Sequence, residues 1–149
     1  MVRLRRTRRT DLPFTPRPLP LSRFLSLWGP VIAYMAALFY VQSLSSLPSP
    51  PGNLTDKHEH FFFYGILAAL ALRALGNGEW RGIRLPTVLG AILISSLYGV
   101  SDEFHQRFVP GRTYEILDMM ADAIGSAAAA GLLWAWSIIR RRSDERHVL

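Results

Sequence analysis

Asp56, His60 and Tyr64 recur every fourth residue, with Lys57 beside the first of them. On a helix that turns ~100° per residue these three side chains fall on one stripe, with Lys57 at its edge. A second polar run reads Ser101-Asp102-Glu103-Phe104-His105-Gln106, in which Glu103 and Gln106 stand one turn apart and Asp102 and His105 take a neighbouring face. Pro110-Gly111-Arg112 follows, then Asp118 and Asp122, again four apart. Carboxylates with an imidazole are the groups of general acid/base chemistry, and a lysine with an arginine can hold an anionic oxygen. Metal binding is the weaker reading. His60, Glu103 and Asp118 offer suitable donor atoms, but His58 and His60 are two apart, whereas the zinc-protease arrangement needs histidines four apart. No metal and no cofactor are therefore expected. A serine-nucleophile motif, a Gly-rich phosphate loop and an aspartate-rich metal motif are all missing from the sequence.

Each residue also has a plain structural role. Asp56 with Glu59 three positions later resembles a capping box. Lys57, His58 and Glu59 suit a layer of lipid headgroups. Asp118 and Asp122 are the costly ones, because an ionised Asp inside a membrane helix costs ~3 kcal/mol on insertion scales. Such residues face a bundle interior and find partners. Lys57 and Arg112 are the natural partners for Asp118 and Asp122. His60 is open either to pairing with a carboxylate or to a functional role, and neither it nor Glu103 is an obligatory member of an Asp118 ion pair.

The elements that must carry these residues are apolar blocks separated by breakers. Of 149 residues half are hydrophobic, and the charges fall almost entirely between the blocks. A first helix is expected from about Trp28 to Leu47, with no charged residue, enough to cross ~30 Å of hydrocarbon at 1.5 Å per residue. Leu47-Pro-Ser-Pro-Pro-Gly-Asn53 ends it. A second helix runs from about Asp56 to Gly76-Asn77-Gly78, its polar first turn at the interface. Pro86 suits the first turn of a third helix that reaches Val100 and extends through Gln106. The fourth runs from about Tyr114 to Ile139, and its small residues, Gly125 to Gly131, mark it for the centre of the bundle or a dimer seam. The fold class is all-α, an integral membrane bundle of four transmembrane helices. The domain organisation is a flexible Arg/Pro-rich arm over 1–23, the membrane domain over 28–139 and a basic tail over 140–149. With no cysteine, disulfides and thiolate metal sites are excluded.

The net charge of +6 does not point to nucleic acid, because the basic residues abut the apolar blocks and no nucleic-acid fold signature accompanies them. Seven of the 17 Lys and Arg lie in the N-terminal arm, three in loop two and four in the tail, against one in loop one and two in loop three. That asymmetry puts both termini in the cytoplasm and loops one and three outside. The polar clusters then share the outer membrane level.

In these motifs the chain resembles the VanZ-like family, named for a protein associated with teicoplanin resistance. The family pattern is Asp-Lys-x-x-His with a following Tyr, then Asp-Glu-x-x-Gln, then Pro-Gly-Arg, then Asp-x-x-x-Asn-x-x-Gly. Here the pieces are Asp56-Lys57-His58-Glu59-His60 with Tyr64, Asp102 to Gln106, Pro110-Gly111-Arg112, and Asp118 through Gly125. They stand in the same order over roughly residues 30–139. Asp122 departs from the family's asparagine and adds a second acid to that helix face. The resemblance implies a small polytopic protein of the bacterial cytoplasmic membrane and no settled reaction.

The leading expectation is an outward-facing pocket of Asp56, Lys57, His60, Tyr64, Glu103, Gln106, Arg112, Asp118 and Asp122 that binds a cell-envelope ligand. A lipid headgroup or a lipid-linked cell-wall intermediate would suit it, with a link to glycopeptide resistance. Whether the protein is an enzyme stays open. Glu103, Asp118 and His60 would also serve an acid/base reaction on a phosphate or ester at the bilayer surface. An ion- or proton-coupled carrier is a further alternative, weakened by four helices without internal repeats. The partners are membrane lipids, with a homo-oligomer also open.

Overall fold

The computed structural model describes residues 20–45 and 56–146. Most of the arm over 1–23, the first loop and the last three residues lie outside this range. The described chain is all helical: α1 is Leu21–Gln42, α2 Asp56–Leu75, α3 Leu85–Gln106 and α4 Ile116–Arg146. The first helix begins seven residues before Trp28 and ends five before Leu47, and α4 runs on through the segment read as a basic tail. Hydropathy marks where a helix becomes apolar, not where its hydrogen bonds begin. The polar turns Ser22-Arg23 and Arg140-Arg141 therefore extend the helices beyond their apolar blocks.

Breakers set most of the ends. Gly76-Asn77-Gly78 closes α2 with positive φ at Asn77 and Gly78, and the Gly78 N–H bonds the Arg73 carbonyl at 2.9 Å. Pro86 sits in the first turn of α3, where its missing N–H costs nothing. Pro30 lies inside α1 and cannot bond the carbonyl four residues earlier. That carbonyl, on Ser26, accepts instead from the Arg73 guanidinium at 3.1 Å, so the interruption in α1 becomes a tie to α2.

Three helices are long and apolar enough to cross a membrane: α1, α3 and Ile116–Arg141 of α4. The helix that falls short is α2, and its position explains why. It packs against all three others, whereas α1 and α4 make no contact with each other. A helix enclosed by its neighbours needs no lipid-facing apolar surface. The interior place expected for α4 thus belongs to α2, which buries Tyr64, Gly65, Leu67, Ala68, Ala71 and Leu72. What the small residues of α4 provide is a close approach to α2: a Cβ added at Gly125 would overlap the Phe61 carbonyl, and one at Gly65 would come within 3.2 Å of the Gly125 carbonyl.

The surface is apolar and much of the interior polar. On α3, Leu89, Leu93 and Leu97 form an exposed stripe at four-residue spacing, and on α4 Met120, Ile124 and Leu132 are likewise exposed. Meanwhile His60, Asp102, Glu103, Gln106, Asp118 and Asp122 are buried. Water would favour the reverse arrangement; hydrocarbon favours this one.

Candidate functional site

The buried polar groups gather where the end of α1, the start of α2, the end of α3 and the start of α4 meet. His60 Nδ1 and Asp122 Oδ1 are 2.9 Å apart, with side-chain exposures of only 2% and 1%. Gln42, at the end of α1, places its amide nitrogen 3.5 Å from His60 Nε2, and its Oε1 accepts from Arg112 Nη2 at 2.5 Å. One set of donors satisfies this chain throughout. Arg112 donates to Gln42, Gln42 to His60 Nε2, and His60 Nδ1–H to Asp122, so the imidazole is held in a single tautomer. The dipoles run from the guanidinium toward the carboxylate and reinforce one another.

Tyr64 stacks beside His60, ring centroids 6.0 Å apart, and its hydroxyl donates to Asp102 Oδ2 at 2.9 Å. Of the predicted stripe, His60 and Tyr64 are buried in the bundle, whereas Asp56 stands toward the exposed rim. Behind the two rings, Ser95 Oγ donates to the Tyr64 carbonyl at 2.8 Å and lies 2.9 Å from Ser126 Oγ. Glu103 is wholly buried. Its Oε1 accepts from Gln106 at 3.3 Å and its Oε2 from the Glu115 N–H at 3.0 Å, so this acid caps the chain entering α4.

Lys57 stands at the rim, its side chain 37% exposed, with Nζ 2.7 Å from Glu115 Oε2 and 3.0 Å from buried Asp118 Oδ1. Of the two cations expected to pair with Asp118, Lys57 does and Arg112 turns to Gln42. His60 takes the carboxylate pairing left open for it, as the hydrogen-bond partner of Asp122. Acids outnumber fixed cations: Asp56, Asp102, Glu103, Glu115, Asp118 and Asp122 stand against Lys57 and Arg112. Three buried atoms here have no hydrogen-bond partner, namely Asp102 Oδ1, Asp122 Oδ2 and Arg112 Nε. Donor atoms of Asp56, His60 and Asp118 lie within 4.8 Å of one another, a spacing that could hold a metal ion. The trio first considered at the sequence level differs by one member, since Glu103 is spent on Gln106 and the Glu115 N–H.

Gln42, Asp102, Glu115, Ser95 and Ser126 were not among the candidates. Gln42 did leave a trace, since an amide in an apolar helix must find a partner once buried. Asp102 stands inside a quoted motif, yet helical spacing alone placed it on a neighbouring face. The serines had no signal that separates them from ordinary small helix residues.

The Lys57 ammonium beside Glu115 holds that carboxyl below the usual carboxylate range. A depressed folded-state pKa gives stability that is complete above the unfolded value of about 4.3 and is lost as the pH falls through the folded value. Acid melts of Glu115→Gln should therefore lack the part of the wild-type decline that sits in and below this window. Identical acid profiles would show that the pair contributes nothing.

An apolar exterior around a buried polar end defines a polytopic helical membrane protein. The profile of the VanZ/LLP1 family matches residues 22–139, and the chain belongs to that family. No curated protein and no solved structure shows significant similarity to it.

Proposed function

We propose that this protein spans the bacterial cytoplasmic membrane with four helices and both termini inside, and that its polar end binds an envelope ligand from the outer face. The ligand class is a lipid headgroup or a lipid-linked cell-wall intermediate, and the consequence is reduced susceptibility to glycopeptides such as teicoplanin. The observation that carries this reading is the unspent polar capacity of the site. Buried unpartnered polar atoms are rare and need a reason, and here an arginine N–H and two carboxylate oxygens lie in one network below the half-exposed Lys57. An anionic group bearing hydroxyls or amides offers complementary partners to both kinds of atom. The family resemblance supplies the link to the cell wall.

Orientation is tested by labelling. A cysteine placed at the exposed Thr113 should react with an impermeant reagent added outside intact cells, and one at the exposed Glu79 only after lysis. Labelling of position 113 only after lysis would invert the site and remove the envelope reading. Function is tested with Arg112→Ala and Asp102→Asn in purified protein and in cells challenged with teicoplanin. Asp102→Asn keeps an acceptor for the Tyr64 hydroxyl, so its melting temperature should stay close to wild type. Both variants should lose binding of a lipid-linked cell-wall precursor and any teicoplanin protection. Retention of both properties in both variants would refute the proposal.

A further inference from the structure

The opposite end of the bundle carries a second built feature. A cleft of about 520 Å³ lies along the α2–α3 connection, and an adjoining one of about 440 Å³ lies between that connection and α4; they share Gly82, Ile83 and Arg84. Arg81 and Arg84 line the larger. Arg84 and Arg141 flank the smaller, over an apolar wall of Leu85, Trp134 and Ile138. The walls are fixed. Trp134 Nε1 donates to the Ile83 carbonyl at 3.0 Å, and the Arg141 stem lies beside Gly82, 3.6 Å from where a Cβ would stand. Beside the clefts Trp80 meets Trp136 edge-on, and Arg140 lies 4.1 Å over the Trp136 ring.

Charge at this end is one-sided. Among the described side chains Arg23, Arg73, Arg81, Arg84, Arg140 and Arg141 face a single acid, Glu79. The next turn of α4 adds Arg142 and Arg146 with Asp144 and Glu145, which cancel. Indole rings and guanidinium groups together mark the membrane–water interface, and arginine forks match phosphate oxygens. An apolar wall directly below the arginines suits what is attached to such a phosphate in a bilayer. We propose that these clefts bind the phosphate headgroup of an anionic glycerophospholipid from the leaflet on the α2–α3 side, with its acyl chains along Leu85, Trp134 and Ile138. This site is independent of the polar end described above.

The test uses the full chain purified in neutral detergent with phosphatidylcholine, its melting temperature followed during additions. Phosphatidylglycerol should raise the melting temperature saturably, whereas further phosphatidylcholine or free glycerol phosphate should not. In Arg84→Ala/Arg141→Ala the concentration for half-effect should rise about tenfold or more, as expected for losing charge-assisted hydrogen bonds. Arg84→Lys/Arg141→Lys guards against misfolding: it keeps the charge but not the fork, and its half-effect concentration should fall between those of wild type and the alanine pair. Arg107→Ala, at the other end, should respond like wild type. Equal shifts from phosphatidylcholine would reduce the effect to bulk lipid, and equal shifts from glycerol phosphate to a free-phosphate site. An unchanged response in the alanine double variant, or an equal loss in Arg107→Ala, would likewise overturn the proposal.

Discussion

Replacing Gly125 by alanine is expected to cost about 1–3 kcal/mol of stability, and replacing it by leucine more, by forcing α4 away from α2. The added Cβ would occupy the space of the Phe61 carbonyl, and the neighbouring Phe61 Cα and carbonyl carbon lie within 3 Å of it. Flexible side chains can swing away from such a contact, whereas the backbone of a helix held by its own hydrogen bonds cannot. The two helices must therefore separate, and with them His60 and Asp122, which stand one turn or less from the contact. Gly131 on the same helix is the control, because a Cβ there meets nothing within 4 Å. Gly131→Ala should be neutral or gain a fraction of a kcal/mol, roughly the 0.5–1 kcal/mol by which Ala exceeds Gly in a helix. Melts of both variants in the same detergent decide the matter. Equal stability of Gly125→Ala and Gly131→Ala would mean that α2 and α4 do not touch here.

The helices of this fold were legible in the sequence, but their arrangement was not. Apolar runs and their Pro and Gly breaks carry the local information, which is why α2 and α3 fall within a few residues of expectation. What surrounds a helix is a tertiary fact. Small residues drew attention to α4 as the central helix, while α2, with a charged first turn and modest hydropathy, is the one enclosed on three sides. Four of the six acids at the polar end, Asp56, Glu103, Asp118 and Asp122, stood out for a similar local reason, since carboxylates near apolar spans are costly and must be satisfied; Asp102 and Glu115 did not. The pairing at this end was not legible, because it depends on the phase of each helix about its axis. Hence Arg112 meets Gln42, and the carboxylate that His60 pairs with is Asp122.

That pairing carries the largest effect expected at the site. His60→Ala removes the partner of Asp122 Oδ1, while Oδ2 already lacks one. A buried carboxylate that loses the charge-assisted hydrogen bond of a neutral imidazole should cost ~1.5–3 kcal/mol. Asp122→Asn is different in kind. Its amide oxygen still accepts from His60 Nδ1, the uncompensated charge disappears, and asparagine is what the family pattern carries at this position. That variant should be as stable as wild type or slightly more so. If the carboxylate charge is the source of the penalty, His60→Ala/Asp122→Asn should recover a large part of what His60→Ala loses. Gly99→Ala probes the other side of the same group, because its Cβ would press on the Asp122 carboxylate, and it should destabilise without touching His60. Thermal melts of the four variants complete the comparison. A loss in His60→Ala below ~1 kcal/mol, the range of exposed pairs, or a double variant no better than His60→Ala, would show that Asp122 is not the buried charge this network has to neutralise.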